Sequence, residues 1–125
     1  MYRTSAGYKV WITSEDGKAV FGDGKWRLLQ AIQKTGSLKK AVEELNISYR
    51  KAWGDLKKAQ QALGVTLFEK HRGGVSGGGT ELTKEGSELV AAYGAFKEEC
   101  DRSIKEIHSK HLSQIMVGGL KGIDS

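Results

Sequence analysis

The sequence predicts a mainly α protein with two small β hairpins. Three observations carry that expectation. Apolar residues recur at helical spacing in four segments, Ser or Thr stands ahead of three of them as a cap, and two β-rich runs end in glycine turns. The 125 residues include no proline, so helix ends must be set by glycine and by caps.

The elements follow in order. Tyr8 to Thr13, YKVWIT, is rich in β formers; Asp16-Gly17 is a turn signal; Ala19-Val20-Phe21 completes a first hairpin. Gly22-Asp23-Gly24 reads as a break. Trp26, Leu29 and Ile32 share one face of a helix that stops at Gly36. Ser37 caps a second helix, LKKAVEELN, ending at Asn46. Ser48 caps a third, whose stripe of Ala52, Leu56, Ala59 and Leu63 runs to Gly64. VTLFEKHR is a strand, RGGVSGGG a glycine-rich tip, and Glu81-Leu82 a short return strand. Thr83 caps a last long helix, and the tail from residue 113 has no clear period.

This order gives three expected regions: a domain over 1–83, a long helix over 84–112, and a flexible tail over 113–125. The net charge is +5, unevenly spread: residues 1–80 carry 14 basic and 7 acidic side chains, residues 81–125 carry 6 and 8. A polyanion-facing part and a second part with another task fit that split. The single cysteine allows no disulfide within the chain, and neither a signal peptide nor a membrane span is legible, so a cytoplasmic protein is expected.

Two short helices joined by a tight turn, then a basic helix and a hairpin, make the plan of a winged helix-turn-helix. Ala41 is small where the helices approach; Val42, Leu45 and Ile47 are expected to tuck into the core. Around the third helix, at about 100° per residue, Arg50, Gly54 and Lys57 lie opposite the apolar stripe. Arg50 can read a guanine edge with two hydrogen bonds, while Lys57 and Lys58 suit phosphates. Gly54 leaves room for DNA to approach closely. The helix N-termini at Ser37 and Ser48 offer free amides to phosphate oxygens. Other readings stay open: Trp53 is a DNA contact or a plug against the hairpin, Tyr49 touches DNA or packs on Trp53, and Lys39 and Lys40 meet phosphate or only solvent.

GSLKKAVEELNISYRKAWGDLKKAQQALGVTLFEKHRGGVSGGGTELTKEG resembles the DNA-binding domain of the ModE-type molybdate-responsive regulators, related to the LysR-type winged helix. The marks are the GS-starting helix, ISYRKAW, the L-F-E-K strand, the GG…GGG wing and the LT-x-x-G that opens the last helix. The resemblance as a whole covers roughly residues 20–95. The resemblance implies a homodimeric transcription regulator that binds double-stranded DNA. By position it implies base contacts from Ser48, Tyr49, Arg50 and Trp53. It implies phosphate contacts from Ser37, Lys51, Lys57, His71, Arg72 and the wing at Gly73, Gly74, Ser76, Gly77 and Gly78. The regulators of this type continue into domains that bind molybdate. This chain is expected to lack one, so neither molybdate nor another effector is expected to bind it directly.

Leu89, Tyr93, Phe96, Cys100, Ile104, Ile107 and His111 recur at heptad-like spacing along the last helix, which would extend about 40 Å. A seam that long wants a partner, and a homodimer is the simplest one. No catalytic constellation is legible, so no enzyme is expected. The glycine run lacks the lysine of a nucleotide loop, and His108 with His111 lacks further ligands, so neither cofactor nor metal is expected. The alternative to a DNA reader is a winged-helix module that docks another protein.

Overall fold

The computed structural model describes residues 3–71 and 79–113. Its chain divides into two compact units, Val10–Tyr93 and a second that joins Met1–Lys9 to Gly94–Ser125.

In Val10–Tyr93 the order is β1 (Trp11–Thr13), β2 (Ala19–Gly22), α1 (Asp23–Thr35), α2 (Leu38–Leu45), α3 (Tyr49–Leu63), β3 (Phe68–His71), β4 (Gly79–Leu82) and the opening turns of α4 (Lys84–His108). Each hairpin is antiparallel; the first pairs Ile12 with Phe21, the second Phe68 with Leu82 and His71 with Gly79. The break expected at Gly22-Asp23-Gly24 is confined to Gly22. Asp23 and Gly24 already lie in the first turn of α1, where an acidic side chain favours the positive helix end.

Caps set the helix ends. The amide of Gly36, in left-handed backbone at φ 73°, returns to the Ile32 carbonyl, and Ser37 then accepts from the Lys40 amide at 3.1 Å. Ser48 accepts from the Lys51 amide at 3.2 Å. Between them Asn46 takes left-handed backbone at φ 57°, and the Ile47 amide returns to the Val42 carbonyl. This ends α2 sharply and starts α3 in a new direction. Ile47, expected in the core, is 44% exposed. The turn keeps its backbone bonded while its side chain lines a surface groove with Leu28, Leu45 and Ala52.

Leu29, Ile32, Leu38, Leu56 and Leu67 are fully buried and join α1, α2, α3 and the wing in one core. Losing one of these leucines to alanine typically costs about 2–5 kcal/mol. The wing is fastened by polar bonds as well. Thr80, 6% exposed, accepts from the Leu38 amide at 3.1 Å and sends its own amide to the Gly36 carbonyl at 2.8 Å. Thr80→Val keeps the shape but orphans a buried N–H, so urea unfolding is expected to show a loss of about 1–3 kcal/mol. Gly79 is structural for the same reason: an added Cβ would lie 2.8 Å from the Gly36 oxygen.

Three helices, the second and third joined through Asn46, Ile47 and Ser48, followed by a hairpin that packs back on them, make a winged helix-turn-helix. The first turns of α4 belong to this unit: Gly86, Val90 and Tyr93 are buried, and the Trp26 indole donates to the Val90 carbonyl at 3.0 Å. The domain edge expected after residue 83 therefore falls inside the core.

In the second unit α4 runs on to His108 and ends in a five-residue π-helical turn, Ser109–Ser113, where a continuing α-helix was expected. The Tyr8 hydroxyl donates to Asp101, and the Thr4 hydroxyl lies 2.8 Å from Nε2 of His108. The tail beyond Ser113 lies outside the described residues.

Candidate nucleic-acid interface

α3 presents two unlike faces. Ala52, Leu56 and Ala59 are buried, whereas Tyr49, Arg50, Lys51 and Lys57 are exposed. The helical period expected this division. Gly54 stands on the outward side, and a Cβ added there would meet nothing within 4 Å. At the start of α3 the Ser48 hydroxyl oxygen accepts the Lys51 amide as a cap, which leaves its own O–H able to donate.

The cations differ in what holds them. Lys51 forms an ion pair with Asp55 at 2.8 Å, one helical turn away. His71, expected to contact phosphate, has its Nε2 2.8 Å from a Glu81 carboxylate oxygen of β4, which competes with a phosphate for that nitrogen. Lys39 and Lys40 are exposed on the first turn of α2, and Ser37 serves as its cap. Lys34 at the end of α1 is bound to Glu44 of α2 at 2.7 Å. The hydrogen bond from Lys34 to Glu44 first, and the carboxylate charge second, raise the lysine above its ordinary value of 10.5. Its folded value is the higher one. Any stability it lends is therefore complete below 10.5 and is lost only as pH climbs beyond that, so this pair adds no pH dependence near neutrality.

Trp53 packs within the domain while part of its side chain stays at the surface. Its ring stands edge-on to Phe68 of β3, centroids 5.3 Å apart, so it plugs α3 against the wing while staying half-buried. Tyr49 does not pack on Trp53 directly. Lys70 of β3 sits between them, its Nζ 4.5 Å from the Trp53 centroid and 5.0 Å from that of Tyr49. The sequence reading missed Lys70. Its strand alternation marks it only as an exposed position; its neighbours come from a helix some 20 residues earlier. Arg72, Gly73, Gly74, Ser76, Gly77 and Gly78, the rest of the expected wing contacts, lie outside the described residues.

The expected seam of α4 separates into two parts. Leu89 is half-buried against the core, and Tyr93 is 2% exposed. The Tyr93 hydroxyl donates to Asp23 at 2.7 Å, and its ring packs edge-on to Phe21. Tyr93 is thus a core residue of its own domain, a correction to its place on a partner-facing seam. In the second unit Phe96 and Ile107 are exposed, and Cys100 is half-buried. Ile104 is half-buried beside Thr4, Ser5 and Tyr8.

Among the described residues no helix is long and apolar enough to cross a membrane, and no cluster of three metal-binding side chains occurs.

Fold and outward cations together define a winged helix-turn-helix with a basic outward face on α3. Residues 24–87 match the bacterial regulatory helix-turn-helix proteins of the lysR family, and the chain belongs to that family. Its curated relatives include the molybdenum-pterin-binding protein MopB of Rhodobacter capsulatus, 38% identical over 63% of this chain and 29% of that protein. The molybdenum transport protein ModE of Azotobacter vinelandii is 30% identical over 85% of this chain and 39% of that protein. The transcriptional regulator ModE of Haemophilus influenzae is 35% identical over 68% of this chain and 34% of that protein. The chain thus spans between 29% and 39% of the length of these relatives.

Proposed function

We propose that this chain reads double-stranded DNA as a ModE-type transcriptional regulator and does so as a homodimer. The observation that carries the reading is the uncovered face of α3, where Arg50, Gly54 and Lys57 stand opposite the buried stripe. In a winged helix-turn-helix this helix enters the major groove, and its first residues meet base edges. Ser48, Tyr49, Arg50 and Trp53 supply the base-facing groups. Ser37, Lys39, Lys40, Lys51 and Lys57 supply phosphate contacts, with Lys51 first giving up its Asp55 partner. The domain's place in the lysR family and the ModE names of its relatives support the same reading.

Binding-site selection from random duplexes, followed by footprinting, tests it. A two-fold symmetric protected site and affinity that falls steeply with salt are expected. Lys57→Ala should weaken all sequences alike and reduce the salt slope by about 1. A protein that retards no duplex at low salt overturns the reading.

The homodimer is proposed through the second half of α4, where Phe96, Cys100, Ile104 and Ile107 follow a helical seam and Ile107 remains 54% exposed. Ile107→Asp is expected to shift sedimentation from dimer to monomer with the winged domain still folded. Unchanged sedimentation would move the contact elsewhere. No effector is assigned to this chain, and titration with molybdate is expected to release no heat.

A further inference from the structure

Lys70 belongs to the wing, yet its ammonium serves α3. It donates a hydrogen bond to the Tyr49 hydroxyl oxygen. It also lies over the rings of both Tyr49 and Trp53, and Lys57 covers the Trp53 ring at 5.4 Å. Lys57, Trp53, Lys70 and Tyr49 thus alternate cation and ring, with Lys70 of β3 inserted between two rings of α3. Cations over aromatic faces hold one another in place, more so where one ring is half-buried.

The consequence for Tyr49 is chemical. An ammonium has only donors, whereas a phenol has one proton to give and lone pairs to receive. With Lys70 donating into its oxygen, the Tyr49 hydroxyl cannot point its proton at Lys70. The proton must point away, and a second donor approaching the oxygen meets a positive charge. The geometry points to Lys70 as a positioning and specificity-determining residue, one that commits Tyr49 to act as a hydrogen-bond donor at the first turn of α3. This rests on the proposal that α3 reads DNA. In the major groove guanine, adenine and thymine present acceptors, at N7, O6 or O4, whereas cytosine presents only its amino donor. Tyr49 therefore tolerates guanine, adenine or thymine at the base it faces and rejects cytosine.

Site selection with wild type, Tyr49→Phe, Lys70→Met and Lys70→Arg tests this. Wild type is expected to deplete cytosine about tenfold at one position in each half-site. Tyr49→Phe, which removes only the hydroxyl, and Lys70→Met, which removes only the cation, should both lose that depletion and keep the preferences at other positions. Lys70→Arg, which keeps charge and donors, should retain it. Both substituted side chains, Tyr49 and Lys70, are at the surface, so the melting temperatures of the four proteins should agree within about 2 °C. A Lys70→Met protein that keeps the cytosine depletion and merely binds every sequence more weakly would make Lys70 a phosphate contact and overturn the inference. So would a wild type that selects bases at the other positions but tolerates cytosine throughout. A wild type that binds no DNA at low salt overturns the DNA reading itself, and the role of Lys70 with it.

Discussion

Gly86→Ala is expected to cripple the winged domain. A Cβ at that position would lie 2.1 Å from the Leu67 carbonyl oxygen and 3.0 Å from its carbon. The obstacle is backbone, and it is held from several sides. The Leu67 oxygen accepts the Thr83 amide at 3.0 Å, and the Leu67 amide donates to the Gln60 side chain at 2.7 Å. The Thr83 hydroxyl adds a bond to the Thr66 carbonyl at 2.6 Å while it caps α4 at the Gly86 amide. Neither α4 nor the segment before β3 can withdraw without breaking this cluster. Overpacking usually costs about 1–3 kcal/mol; with a carbonyl in the way, about 3 kcal/mol or more is expected. That is a large share of the roughly 5–15 kcal/mol that holds a typical domain. Urea unfolding measures it, and a loss below about 1 kcal/mol would mean that the two backbones separate easily. Gly54→Ala is the useful counterpart. It also sits in a helix, but in open space, so the domain should gain about 0.5–1 kcal/mol. If DNA approaches α3 there, the same change should weaken binding, giving opposite signs for fold and function.

Arg50→Ala carries the second large effect, on DNA alone. Arg50 is exposed on the first turn of α3, its side chain away from the core stripe. Its loss should leave stability within about 0.5 kcal/mol. Affinity for the selected site should fall by about 1–3 kcal/mol, with relaxed preference at one base pair. Competition between the cognate duplex and random DNA separates reading from charge. An equal loss on both would reduce Arg50 to a phosphate contact.

The LT-x-x-G mark shows how sequence and structure divide the explanation. Its residues are visible in the chain, and Thr83 reads as a cap from composition alone. That Gly86 must lack a side chain depends on Leu67, which only the fold brings beside it. Ile47 is similar: an apolar residue in a turn suggests burial, but the direction set by Asn46 leaves it at the surface. Tyr93 shows the limit most clearly. Its spacing along α4 fits a dimer seam, yet Phe21, Trp26 and Asp23 of the same domain cover it.

The sequence by itself determined the order of elements, the caps at Ser37, Ser48 and Thr83, the stop at Gly36, and which side of α3 faces inward. These follow from local forces, acting within a turn or two of chain: capping hydrogen bonds, left-handed backbone and the helical period. Tertiary structure alone decided that Lys70 joins Tyr49 and Trp53, that Gly79 and Gly86 are contact points, and that Tyr93 is core. Each depends on residues 17 to 72 positions apart meeting in space. A period states that a face is apolar or exposed, but what covers it is set by packing across the whole domain.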